Sequence, residues 1–426
     1  MDTDSRVSRR RPTGVARAKA DAVLRVLAGV SIALLIYEVW TLGRSVLLPL
    51  LANPNVLQTD FHYYYDAAIR FRADPSRLYQ LSDDVIAGFT YPPPAILPFV
   101  MLSYLPLGVA MAVLTVSSYA VVILSLVVWI RYLEQRGVAV ERSNAIAVAL
   151  VVIALAPTYS NAIFGQVNAW VLICAIGFVS IGHTRPTLGG AFLAAGTLLK
   201  IYPALLVGLG LWDRSAWRRI LYAALAGVII IAIALPFVPL SAYQTFFGDV
   251  LPARFDKTAV HISNQSLIAF IERFSLPPDR FLNWTGEQAI AVSGSVRAFN
   301  WLFGIAAIAW LWRRATRGPR LDAINSAAGL IALPAVIAPL GWGHTYVLVL
   351  PLLVLHLLQM QERSWLSATV ICACVLAMMV PSGRRLDFVD VLPAALQNLA
   401  YSRYLLATLI LIALPSQRHL DHDIPS

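Results

Sequence analysis

The sequence predicts an all-α fold: a polytopic bundle of transmembrane helices. Three observations carry that reading. Of the 426 residues, 58% are hydrophobic and only 13% charged, where soluble domains carry about a quarter charged residues. Mean hydropathy is +0.69, and apolar runs long enough to cross a bilayer, roughly 20 residues each, recur from end to end. The basic residues lie in short clusters between those runs. A formal charge of +10 would suit nucleic acid if it formed a stripe. Broken into clusters between apolar segments it fits the positive-inside rule instead, so membrane lipids are expected partners and nucleic acid is not. Cys174, Cys372 and Cys374 all fall inside apolar runs without metal-ligand spacing and read as small core hydrophobes.

The basic clusters orient the chain. Residues 1–21 form a basic tail, with Arg6, Arg9, Arg10, Arg11, Arg17 and Lys19, expected to be disordered and cytoplasmic. The apolar run 22–51 is far longer than the roughly 7–15 residues of a signal-peptide core and reads as a retained signal-anchor helix. It delivers residues 51–106, a first outer loop, to the opposite side. Pro92, Pro93 and Pro94 stop any helix there, and 94–104 reads as a short interfacial or re-entrant piece. Residues 107–130 return to Arg131, Arg136 and Arg142, 144–160 go out, and 168–182 come back to Arg185. Residues 187–212 read as two short halves around "LLKIYPALL" with positive charge at both ends, which favours a broken hairpin over one crossing. Residues 219–239 lead out to a second large loop, 240–296. The pairs 297–312 with 323–341 and 345–361 with 364–380 follow, and 398–415 brings residues 416–426 to the cytoplasm. The sum is ten crossings plus a hairpin, about 10–12 membrane segments, in one domain spanning 22–415. No internal repeat is evident.

In this topology the unusual polar residues gather on the outer side. Asp60, Asp66, Tyr64 and Tyr91 belong to the first loop, and Gln166 and Asn168 open the helix "GQVNAWVLICAIGF". Asn264, Gln265, Ser266 and Arg273 lie in "NQSLIAFIERF", and His344 in "GHTYVLVLPLL". Ionisable groups at membrane depth are costly and tend to be functional, and several meeting on one side define a candidate site. Each also has a plain structural reading. Asp60 is a candidate N-cap of "FHYYYDAAIRF", and Asp66, about 1.7 turns further on, is a candidate solvated acid. Tyr64 and Tyr65 suit an interfacial aromatic belt. Gln166 and Asn168 suit interhelical hydrogen bonding, and His344 an ordinary interfacial position. Lys200 has two roles open to it, snorkelling to cytoplasmic headgroups or meeting a lipid phosphate.

Five segments in order, "TDFHYYYDAA…FTYPPPAILPF", "FGQVNAWVLI", "LLKIYPALLVGLGLWDRSAWRR", "NQSLIAFIERF" and "GHTYVLVLPLL", resemble glycosyltransferase family 87 over about residues 57–355. The resemblance implies a GT-C fold in a bacterial inner (plasma) membrane, with the active site facing the periplasm or cell exterior. It implies a polyprenyl-phosphate sugar donor, mannose being the family's best-known sugar, and an aspartate in the first outer loop as general base. Asp60 matches that position and His344 a histidine of the active site. Lys200 and the Asn264–Gln265 segment match family motifs. With Tyr64, Tyr91, Gln166, Asn168 and Arg273, they are the expected substrate-binding residues.

The chemistry agrees. Transfer of a hexose from a phospholipid carrier to a lipid or glycan acceptor needs a base for the acceptor hydroxyl. A phosphate leaves without an acid but needs cationic or hydrogen-bonding partners, so the second acid of a glycosidase is not required. Single displacement implies inversion. The first loop has no DxD spacing, so neither metal nor cofactor is expected. A transporter or flippase of lipid-linked sugars is the alternative. It should show paired halves with matching interruptions and polar groups at the midplane, and neither is apparent. A non-catalytic scaffold would leave the Asp60 loop without a purpose.

Overall fold

The computed structural model describes residues 14–52, 59–79, 88–284 and 289–416. Most of the basic tail, parts of both outer loops and the C-terminal tail lie outside these. Twenty-one α-helices follow one another, with one two-stranded ribbon among the described residues. Helix α1 (Gly14–Leu42) continues through a π-turn into α2 (Leu48–Ala52), and α3 (Asp60–Ala73) and α4 (Ile96–Leu102) fill the first loop. Then come α5 (Leu107–Gln135), α6 (Arg142–Ile153), α7 (Ala156–Ile163), α8 (Asn168–Ser180), α9 (Pro186–Leu199) and α10 (Arg214–Ala234). The second loop holds α11 (Leu240–Thr245), α12 (Leu251–Asp256), α13 (Leu267–Arg273) and α14 (Pro278–Leu282), with β1 (Lys257–Ala259) antiparallel to β2 (Ala289–Ala291). Last are α15 (Gly294–Arg317), α16 (Arg320–Ile337), α17 (Leu350–Leu358), α18 (Trp365–Met379), α19 (Asp387–Asp390), α20 (Ala394–Tyr401) and α21 (Arg403–Ala413).

Five of the described helices are long and apolar enough to cross a membrane: residues 18–42 of α1, α5, α10, α15 and α16. The pairs α6–α7 and α20–α21 pass the same test together but bend by 50° and 61°. Residues 168–183, 343–358 and 365–379 are shorter apolar helices, below the roughly 20 residues of a full span. These ten segments lie at the positions of the ten expected crossings, and five of them, or seven with each bent pair taken as one span, are long and apolar enough to cross by themselves. The expected hairpin is also present, as α9 followed by a 3₁₀ run over Tyr202–Leu211. Burial ranks the helices. In α16, 83% of the apolar window is buried, against 17% in α10 and α15, and all of α17 is buried. Helices α16 and α17 are therefore the centre of the bundle, while α10 and α15 turn residues such as Val228, Leu302 and Ile305 outward, as lipid-facing helices do. Trp129 of α5 donates from its ring Nε1 to Pro351 O at 2.9 Å, fixing α5 to that centre.

The fold has two chemically different ends. Helix α5, about 43 Å long by its 1.5 Å rise, separates them. At its start, the Tyr65 hydroxyl of α3 bonds Leu105 O at 2.6 Å and Arg72 bonds Ser103 O at 3.0 Å. At its finish stands Arg136, its guanidinium 5.0 Å from the Tyr132 ring. The first end carries Asp60, and the second gathers Arg136, Arg214, Arg219 and Arg320.

Candidate active site

The site begins with a helix start. Thr59, in extended conformation, caps α3, and His62 Nδ1 accepts its backbone N–H at 3.1 Å. Asp60 is therefore the first residue of the helix and not its N-cap, the role open to it in the sequence. Its carboxylate is free of capping and points to other work. The helix end is held in place by Phe61 N donating to Phe164 O at 3.1 Å. That pairing brings α3 against the "FGQVN" turn, where Gly165 adopts φ +64° and a Cβ would come within 2.6 Å of Phe61 Cβ. Only glycine combines the left-handed conformation with that approach.

The turn hands two amides to the site. Gln166 donates from Nε2 to Asp60 Oδ2 at 2.6 Å and to Tyr64 Oη at 2.8 Å. Its Oε1 accepts from the Tyr91 hydroxyl at 2.9 Å, and the Tyr91 and Tyr64 hydroxyls share a 2.7 Å bond. One amide thus satisfies three residues at once, and its orientation is fixed by the partners on each side. Asn168, two residues on, accepts from Lys200 Nζ at 2.8 Å and donates to His344 O at 3.4 Å. The Lys200 ammonium also lies 5.4 Å from the Tyr91 ring and 5.0 Å from that of Tyr202, within cation–π range.

These contacts correct one expectation. Lys200 does not snorkel to the cytoplasmic headgroups. It stands at the apex of the α9 hairpin, nearly buried, in the cluster that holds Asp60. The hairpin explains why: Arg185 and Arg214 bracket it at the basic end, so the middle of the segment must reach the opposite side. Tyr64 also departs from an aromatic belt and lies against Tyr91. Both are buried, with ring centroids 5.0 Å apart, and Tyr64 packs on Phe99 at 5.1 Å. Tyr65 keeps the half-exposed position of an interfacial residue.

Asp60 retains an open face although protein surrounds it densely. Burial raises its carboxyl above the ordinary range, opposed by the Gln166 hydrogen bond and then by the charges of Lys200 and Arg254. Burial disfavours the anion, and hydrogen bonds and cations restore it. Arg254 of α12 was not among the expected substrate-binding residues. It acts on Asp60, Lys200 and Tyr202 together, and nothing in its local sequence distinguishes it from other loop arginines. Two more residues escaped sequence reading: Tyr202, and Glu38, a carboxylate buried in α1 whose Oε2 has no partner among the described residues. Tyr202 was legible as the neighbour of Lys200, and Glu38 as a lone acid within an apolar run.

The "NQS" segment is brought near the site without opening onto it. Asn264 Nδ2 donates to Ala259 O at 2.8 Å and Pro339 O at 3.1 Å, and its Oδ1 accepts from Ser266 N and Gly341 N. Gln265 donates to Tyr401 O at 2.8 Å and accepts from Tyr404 N at 3.0 Å. Apart from a bond from Asn264 to the Thr258 hydroxyl at 3.2 Å, both amides are spent on backbone, and the segment holds the 341–344 turn: Gln265 N bonds Gly341 O and Gly343 N bonds Ser263 O. That turn carries His344, buried, with its ring 6.0 Å from Phe164. Arg273 is likewise engaged within the protein. Its Nε donates to Asn398 at 2.8 Å, one terminal nitrogen to Asn264 O at 2.9 Å and His261 O at 3.2 Å, and the other to Ser402 at 2.9 Å. Asn264, Gln265 and Arg273 thus make scaffold contacts, while Asp60, Tyr64, Tyr91, Gln166, Asn168 and Lys200 form one cluster beside His344.

The Asp60 carboxylate thus lies in the field of the Lys200 ammonium and the Arg254 guanidinium, on a bundle with several helices long and apolar enough to cross a bilayer. A model of glycosyltransferase family 87 matches residues 89–334, more than half the chain, and the chain belongs to that family. It is a membrane glycosyltransferase. Asp60, Tyr64 and His344 lie outside the matched span, and Tyr91 through Arg273 lie inside it. Two relatives are each named a polyprenol-phosphate-mannose-dependent alpha-(1-2)-phosphatidylinositol mannoside mannosyltransferase. The one from Mycolicibacterium smegmatis is 29% identical over 309 residues, 68% of this chain and 67% of the relative. The one from Mycobacterium tuberculosis is 29% identical over 316 residues with the same coverage.

Proposed function

We propose that this glycosyltransferase moves a mannosyl group from a polyprenyl-phosphate donor to a hydroxyl of a lipid or glycan acceptor, with inversion, at the extracytoplasmic face. The relatives' names supply the donor, and their phosphatidylinositol mannoside acceptor supports a glycolipid acceptor here. Arginine clustering at the end remote from Asp60 supports the sidedness. The domain limits, 22–415 for the transferase, follow the same reading.

In this mechanism the acceptor oxygen attacks the anomeric carbon from the face opposite the phosphate. The carbon–oxygen bond to phosphate breaks as the new glycosidic bond forms, and the electron pair leaves on the phosphate. Asp60 takes the acceptor proton. Lys200 and Arg254 face the developing phosphate charge, and the Tyr64–Tyr91 pair and Asn168 border the sugar. The observation that carries the reading is the 2.6 Å bond from Gln166 to Asp60 within reach of two cations. It opposes the burial that raises the Asp60 carboxyl and aims the carboxylate, as a general base requires.

The test is Asp60→Asn, assayed with polyprenyl-phosphate [³H]mannose. The variant keeps shape and cannot take a proton. Donor binding should persist while transfer falls roughly 10²–10⁴-fold, the usual worth of general-base help. Near-parental turnover would assign the base to another group.

A further inference from the structure

At the end of the bundle remote from Asp60 lies a cavity of about 340 Å³. Arg136, Arg214, Arg219 and Arg320 line it, with Asp213 as its one carboxylate. Four arginines against one carboxylate leave an excess of three positive charges. Asp213 pairs with Arg219 and stands 3.8 Å from His183. Arg136, Arg214 and Arg320 have no carboxylate partner among the described residues. Arg219 is 1% exposed, and its Nε has no acceptor among the described residues.

The positive-inside rule accounts for arginines at this end but not for their convergence on a cavity. Two helix N-termini converge there as well. Arg214 opens the 21-residue α10 and Arg320 the 18-residue α16. Each sets a cation against the positive end of a helix dipole, where anions are favoured; Asp213 caps α10 and Asp322 stands in the first turn of α16, paired with Arg314, so the cavity's own arginines keep their excess charge. A negative charge between these groups relieves the repulsion among them more strongly than solvent screening does. The remaining wall is apolar, with Trp212 and Ile324. Trp217 and Leu221, further along α10, are 56% and 69% exposed on the lipid-facing side of that helix. A ligand with a charged head and an apolar body meets both demands.

We propose that this cavity binds the phosphate of an anionic phospholipid. The site is distinct from the transferase centre: from Asn168 to Ser180, α8 alone separates the two by about 18 Å. The guanidinium groups take the phosphate oxygens in charge-assisted hydrogen bonds, and the acyl chains lie along α10.

Native mass spectrometry of the full-length protein in detergent tests this with dioleoyl phosphatidic acid, dioleoyl phosphatidylcholine and inorganic phosphate. Phosphatidic acid should be retained at least about tenfold more tightly than phosphatidylcholine. Arg214→Gln with Arg320→Gln should lose about tenfold of that affinity, the worth of one or two charged hydrogen bonds. Both side chains are exposed; should the double variant misfold, Arg320→Gln alone gives the same reading. Displacement by millimolar inorganic phosphate would uphold phosphate recognition and assign a soluble source, whereas resistance to it supports the lipid. Equal retention of the two lipids, or retention unchanged in the variants, overturns the proposal.

Discussion

Gln166 holds Asp60 at 2.6 Å with its amide nitrogen while its amide oxygen accepts from Tyr91 at 2.9 Å. A side chain 106 residues away in sequence thus sets both the direction and the acidity of the carboxylate. The orientation depends on an unbroken path: the Tyr91 hydroxyl fixes the amide, and the amide fixes the acid.

A pH profile tests that arrangement. Burial raises the Asp60 carboxyl and the Gln166 bond lowers it. The ionised form is the proposed base, so transfer should be lost as pH falls through the raised value. The acid limb of kcat should therefore lie above the ordinary carboxylate range. In Gln166→Leu the opposing bond is gone and the limb should move higher still. A limb that stays put in Gln166→Leu would show that the amide does not tune the acid.

The same desolvation has a stability consequence. An acid whose folded pKa is raised penalises the fold at every pH above that value, because the anion is better solvated when unfolded. Asp60→Asn should melt at or above the parental temperature at neutral pH in a thermal scan. A marked drop would mean that the carboxylate holds the structure together.

Lys200 supplies the next test. Its ammonium bonds Asn168 and faces two tyrosine rings. Lys200→Met keeps the stem and removes the charge. Donor affinity, read as competition by an unreactive polyprenyl-phosphate analogue, should fall about tenfold or more, the scale of one charged hydrogen bond. Unchanged competition would leave Arg254 as the phosphate's cationic partner.

Arg273 should behave oppositely. Its pKa falls to about 9 through burial, so it is charged at neutral pH and its donors go to protein acceptors. Arg273→Ala leaves those acceptors unpaired and should cost about 3 kcal/mol or more, seen as a lower melting temperature. Lysine lacks the planar fork and should rescue little. Variant protein that melts normally but loses donor affinity would place Arg273 at the substrate.

Topology is open to direct measurement. A reporter fused after Arg317 should read cytoplasmic, and one near Asp279 external. The reverse at Asp279 would put the Asp60 cluster on the cytoplasmic side and remove the basis for the proposed sidedness.

The sequence by itself determined the class of fold and predicts its orientation, because both follow from local quantities. Apolar run length measures whether a segment spans a bilayer, and arginine clusters at run ends record which side each end prefers. The hairpin at 187–212 was legible for the same reason, since charge at both ends leaves one way to fold it. The membership of the cluster was legible in part: Asp60, Tyr91, Gln166, Asn168 and Lys200 announce themselves as polar residues in apolar surroundings. What only the tertiary structure decided is how those groups pair. Thr59, not Asp60, caps α3 because the backbone turns extended one residue earlier. Lys200 reaches Asn168 because α9 traverses the bundle from the basic end. Asn264, Gln265 and Arg273 look like substrate ligands in one dimension. In three, backbone groups of the second outer loop, the 339–341 turn and the C-terminal helices, with the Asn398 and Ser402 side chains, have already taken their hydrogen bonds. A polar side chain in an apolar run must find a partner, and sequence states that need; which partner it finds depends on chain segments tens to hundreds of residues away.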